Sequence, residues 1–134
     1  MSKNSRVRPA TAQDGRIALQ KAQQFAEAAK SELAHERWDS AGLNAIHSGI
    51  CAADAILIYT AGVRCASQDH ENVSTLLLRS VPSFKGSPRT QLLGLLKMKN
   101  TVAYEQRLIT QREASDLVTS ATRFLSWVTE NTIH

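Results

Sequence analysis

Four polar features interrupt an otherwise regular pattern of small and aliphatic residues, and each suggests a chemistry. Asp54 stands among Ala52, Ala53, Ala55, Ile56 and Leu57, the most apolar surroundings of any carboxylate in the chain. A carboxylate removed from water needs a cation or hydrogen-bond donors, so Asp54 calls for a partner from elsewhere in the fold. His47, seven residues earlier, is two helical turns away and shares its face. Arg64 and His70, with five residues between them, have the types a metal-independent ribonuclease uses: a guanidinium to hold phosphate and an imidazole to move a proton. They also flank a helix start, where a His or Asp serves equally as a cap. Lys99-Asn100 is followed by Tyr104 and Arg107. On one helix Asn100, Tyr104 and Arg107 fall at i, i+4 and i+7, a stripe suited either to a ligand or to an internal network in which Arg107 pairs with Asp54 or Glu105. The fourth feature is an asymmetry of charge. Arg79 to Leu108 holds six basic residues and one acid, whereas Asp39 to Leu78 holds four acids and one Arg.

The elements that carry these groups read as helices. Thr11 with Asp14 marks a helix start, the acid lying where free N–H groups point. Ile17, Ala18, Ala22, Phe25, Ala29 and Leu33 then recur at three- and four-residue steps. Trp38-Asp39-Ser40 reads as a turn, with Asp39 or Ser40 capping a central helix that runs to about Val63. Ala41, Gly42, Ala45, Gly49, Ala52 and Ala53 make that helix narrow enough for a close neighbour. A loop, Arg64 to His70, feeds a third helix capped by Ser67 or Asp69, with Val73, Leu76 and Leu77 inward. Pro82 to Pro88 is dense in breakers and reads as a surface loop. A fourth helix spans about Arg89 to Arg107, with Leu92, Leu93, Leu95, Leu96 and Val102 inward. Thr110-Gln-Arg-Glu113 is a capping box that opens a last helix carrying Leu117, Val118, Ala121, Phe124, Leu125 and Val128. No alternating strand pattern of useful length and no internal repeat is visible.

Composition agrees with an all-α domain. The 134 residues suit one domain, 43% are apolar, and aromatics are few against Ala and Leu. The expected architecture is a compact up-and-down bundle of four to five helices over residues 11–134, preceded by a disordered basic tail, 1–10. Lys3, Arg6 and Arg8 of that tail account for most of the net +4, leaving thirteen basic against twelve acidic residues beyond it. Basicity is therefore weak evidence for nucleic acid. Cys51 and Cys65 would lie roughly 20 Å apart if 39–63 is one helix, too far for a disulfide. No Cys/His ligand cluster suggests a metal, and no motif suggests a cofactor. The most apolar stretch, 43–63, is interrupted by Asn44, His47 and Asp54 and does not read as a membrane span. The chain is expected in the cytoplasm.

The helix Ala41–Ala55, the segment Gly62–His70, then Lys99 to Arg107 and the capped last helix together resemble the HEPN superfamily, the higher eukaryote and prokaryote nucleotide-binding domains. The resemblance covers roughly residues 12–130. It implies a four- or five-helix bundle that dimerises. Many members are RNA-cleaving toxins of toxin–antitoxin pairs or defence systems, and others are non-catalytic nucleotide-binding or protein-interaction modules. Active members carry R-N-x-x-x-H at the start of a late helix. The nearest match is Lys99-Asn100-Thr-Val-Ala-Tyr104, with Lys for Arg and Tyr for His. Lys lacks the bidentate fork, and Tyr, with a free pKa of about 10, is a poor proton shuttle at neutral pH. The resemblance thus implies a non-catalytic module, expected to bind through a groove lined by His47, Asp54, His70, Lys99, Asn100, Tyr104 and Arg107. Its implied partners are a second copy, an antitoxin or nucleotidyltransferase protein, and RNA or a nucleotide. The alternatives are an active ribonuclease toxin using Arg64 and His70, and an unrelated helical adaptor or scaffold.

Overall fold

The computed structural model describes residues 7–65 and 70–132, the side chains of His70 and Glu71 excepted. Its described chain is mostly helical. A strand β1 (Val7–Pro9) precedes α1 (Ala12–Ala34) and α2 (Trp38–Ala61); strand β2 (Val63–Cys65) and α3 (His70–Ser80) follow. A 3-10 turn at Pro82–Phe84 leads to α4 (Ser87–Lys97), α5 (Lys99–Tyr104) and α6 (Gln111–Thr132).

Local chemistry starts the helices. Thr11 accepts from the Asp14 amide at 3.1 Å while Asp14 accepts from the Thr11 amide at 2.9 Å. Thr110 and Glu113 repeat this reciprocal pair at 3.0 and 2.8 Å, so both expected starts close as capping boxes. The start of α2 differs from expectation. The helix begins at Trp38, and neither Asp39 nor Ser40 caps it. Asp39 instead accepts from the Ile109 amide at 2.8 Å, and the Ser40 hydroxyl donates to Glu32 at 2.8 Å. Both side chains tie helices together, work that sequence-local reasoning assigned to a cap. The helix ends at Ala61, where Gly62 takes a left-handed φ of 67° and turns the chain into β2.

The α2 helix is the centre. It packs most extensively on α1 and then on α6. Two apolar clusters lie along it. One gathers Ile56, Leu57, Leu77, Phe84, Phe124 and Val128; the other gathers Ala45, Ile46, Leu95, Ile109 and Leu117. Its small residues permit close approach: a Cβ built on Gly49 would fall 2.5 Å from Leu95 Cδ1, and one on Gly42 would fall 2.8 Å from Ile109 Cδ1. The Ser48 hydroxyl, wholly buried, donates to the Ala22 carbonyl of α1 at 2.7 Å. By length and composition Trp38–Ala61 could cross a membrane, yet 67% of that apolar window is buried in the fold.

Three further expectations change. Part of the segment expected as a disordered tail is ordered: Val7, Arg8 and Pro9 pair antiparallel with Cys65, Arg64 and Val63. A three-residue strand carries too little periodicity to be read from sequence. The fourth helix is not continuous to Arg107 but breaks at Met98 and ends at Tyr104. Residues 105–108 are all exposed, so no apolar face holds them helical, whereas Ile109 is buried and pulls the chain inward. Ile17, placed on the inner stripe of α1, is 41% exposed. Ser67 and Asp69, the caps expected for α3, lie outside the described residues, as do Lys3 and Arg6.

Candidate functional site

Asp54 and His47 both look towards α1, but they meet different neighbours there. The imidazole of His47 packs against Phe25, ring centroids 5.4 Å apart. Asp54 opens onto a hollow of about 180 Å³ between α1, α2 and β2. From α1 come Asp14, Ile17, Ala18 and Lys21, one stripe at three- and four-residue steps; α2 supplies Cys51, Asp54 and Ile58, and Arg64 of β2 flanks the mouth.

Burial pushes the Asp54 carboxyl up to about 6, and the Arg64 guanidinium opposes this only in part. Burial also raises the Cys51 thiol, the charge on Asp54 raises it further, and Lys21 pulls it down. Ion pairs among the described residues join Lys30 to Glu27, Arg37 to Glu32, and Arg107 to Glu105 and Glu113; Asp54, Lys21 and Arg64 form none. The carboxyl of Asp14 is already engaged by the Thr11 amide. The hollow is thus lined by two carboxyls, Asp14 on the Thr11 amide and the mostly buried Asp54, and by two cations, neither of which closes an ion pair with Asp54.

The other candidates sit elsewhere. Val102 of α5, Ile109 and Leu117 surround Gly42. Gly42 is twelve residues, about 18 Å along the α2 axis, from Asp54. Lys99 is partly buried, Asn100 is exposed, and Tyr104 is 73% exposed on α5. Arg107 makes a two-pronged contact with Glu113, both bonds 3.0 Å, and holds that carboxyl down at about 2, with the Thr110 amide assisting. The described α5 groups and Asp54 are therefore not brought together: α5 docks near the start of α2, while Asp54 faces α1 near its end. The cations that line the hollow with Asp54 come from α1 and β2, not from α5, and neither pairs with it. His70 opens α3, and its side chain lies outside the described residues, so the Arg64–His70 pair does too.

Sequence reasoning missed Lys21 and Cys51. The signal was present in the helical spacing of Asp14, Ile17, Ala18 and Lys21, a stripe that puts two charges beside an apolar one. It also missed Asp39, whose bond to Ile109 spans seventy residues. Another concavity, about 540 Å³ between α1 and α6, is an open trough edged by Glu27 and Lys30, which pair with each other at 3.6 Å.

Cations are concentrated on one run of chain. From Arg79 to Tyr104 there are five basic residues, Arg79, Lys85, Arg89, Lys97 and Lys99, and no acid. Four of the five are exposed, Lys99 is partly buried, and none enters an ion pair with a described residue. Tyr104 closes this run, and Leu108, 81% exposed, follows it.

No protein-family model matches this sequence, and no curated protein matches it.

Proposed function

We propose that this chain is a non-catalytic, HEPN-like helical module that binds single-stranded RNA along its α4–α5 face. The observation that carries the reading is the acid-free run from Arg79 to Tyr104, whose cations pair with no described residue and which ends in an exposed aromatic. Unpaired cations attract a phosphate backbone, and an accessible tyrosine ring offers a stacking surface that a base in a duplex does not need. The amide of Asn100, exposed one turn before Tyr104, adds a donor and an acceptor for a base edge. What supports the absence of catalysis is the sequence. Lys99 and Tyr104 stand where active members of the resembled superfamily carry Arg and His. Lys lacks the bidentate fork, and Tyr is a poor proton shuttle at neutral pH.

Fluorescence anisotropy with a labelled single-stranded RNA tests this. Binding should be micromolar at about 50 mM salt and weaken about ten-fold or more by about 200 mM, since each phosphate contact contributes a log–log slope of about −0.7. Tyr104→Ala should cost about 5- to 100-fold, and Lys97→Glu with Lys99→Glu should abolish most binding. The RNA should remain intact on a denaturing gel. Cleavage lost on His70→Ala would replace this reading with the ribonuclease one, and salt-insensitive or absent binding would remove RNA as the partner. The dimer that the resemblance implies is read separately, by sedimentation.

A further inference from the structure

An unpaired carboxyl in mostly apolar surroundings is an unfavourable arrangement unless something completes it. Asp54 has that character, and the space before it is shaped by residues of two rigid helices. Lys21 and Arg64 line the same hollow, and neither closes an ion pair with it. With Asp14 also in its lining, the hollow carries two carboxyls and two cations, so a lone amine or a lone anion would leave it with uncompensated charge. A molecule bearing both charges leaves it neutral, one end facing Asp54 and the other Lys21 and Arg64. Ile17 and Ile58 add an apolar wall against which a short aliphatic side chain can rest.

Size narrows the class further. About 180 Å³ equals the share of roughly six water molecules and falls below the ~300 Å³ at which drug-sized pockets begin. We propose that this hollow binds a small zwitterion of the α-amino acid class, its ammonium on Asp54, its carboxylate between Lys21 and Arg64, and its side chain on Ile17 and Ile58. The site is separate from the α4–α5 face, so either reading can fail without the other.

Titration calorimetry on the full chain tests the proposal with L-alanine, L-serine and L-valine, and with N-acetyl-L-alanine, isobutylamine and inorganic phosphate as controls. At least one amino acid should saturate with a millimolar or tighter dissociation constant. Blocking the amine or removing the carboxylate should weaken binding about ten-fold or more, as expected for loss of a charge-assisted contact. Asp54→Asn should cause a similar loss while leaving a chain at least as resistant to urea as the parent, which separates a binding role from a structural one. Lys21→Met, at an exposed position, should weaken the amino acid as well. The proposal is overturned if none of the amino acids saturates, if Asp54→Asn binds them unchanged, or if phosphate or N-acetyl-L-alanine binds as tightly as they do.

Discussion

At the scale of single residues, Asp54 is the group whose chemistry departs furthest from its ordinary state. Its folded pKa, about 6, lies above the usual carboxylate value of 3.8, so the folded chain holds a proton that the unfolded chain releases. Between those values the native state binds more protons, and stability falls as pH rises. The contribution of protonated Asp54 is complete below about pH 4 and lost above about pH 6. Glu113 has the opposite sign. Its folded pKa is near 2, so its contribution is present above its usual range and disappears as pH falls through 2. Subtracting one variant from the parent isolates Asp54. Each factor of ten in proton affinity is worth about 1.4 kcal/mol. With a discount for partial exposure, Asp54→Asn should stabilise the protein by about 1–2 kcal/mol at pH 7.5 and make little difference at pH 4. Urea unfolding at the two pH values measures this; equal effects at both would show that Asp54 is not held out of water. The need for a partner was legible in the sequence, because the residues around Asp54 are Ala, Ile and Leu. Which element would face it was not, since α1 or α5 could each have lain there and only packing chooses between them.

At the scale of elements, α2 decides most of the fold. Its alternation of small and aliphatic residues was legible, as were both capping boxes and the apolar stripe of α6. What could not be read were features decided by distant chain. The end of α5 at Tyr104 follows from Ile109 turning inward, and the β1–β2 ribbon needs the end of α2 to be in place first. The glycines give a paired prediction. Gly49 meets Leu95, whereas nothing lies within 4 Å of a Cβ at Gly94 on α4. Both are helical, and Ala there gains about 1 kcal/mol of helix propensity. Gly94→Ala should realise that gain and raise the melting temperature. Gly49→Ala must also displace a fully buried leucine, which costs about 1–3 kcal/mol, so the melting temperature should fall. Calorimetry on the two variants reads the difference directly, and a rise in both would mean that α2 and α4 are less closely apposed.

At the scale of the whole molecule, charge and topology are distributed unevenly. The positive balance first assigned to the tail conceals a second concentration between Arg79 and Tyr104, because the acids elsewhere cancel it in any overall count. The sequence did show that asymmetry. It could not show that Asp39 and Asp54 leave those cations unpaired, for α2 turns Asp39 to the Ile109 amide and Asp54 towards α1.

The Asp39–Ile109 bond also has a kinetic consequence. The α1–α2 hairpin joins near neighbours in sequence and can zip quickly, but this bond closes a span of seventy residues and must await the arrival of the last helix. It should therefore be absent at the rate-limiting barrier. In stopped-flow chevrons Asp39→Ala should steepen escape from the native state, roughly five- to ten-fold for a loss of about 1–1.5 kcal/mol, while refolding proceeds at the parental rate. A slowed refolding limb would instead mean that the two ends of the bundle find each other early. Asp39 is thus a clasp that governs how long a finished molecule survives and has no say in how fast it forms.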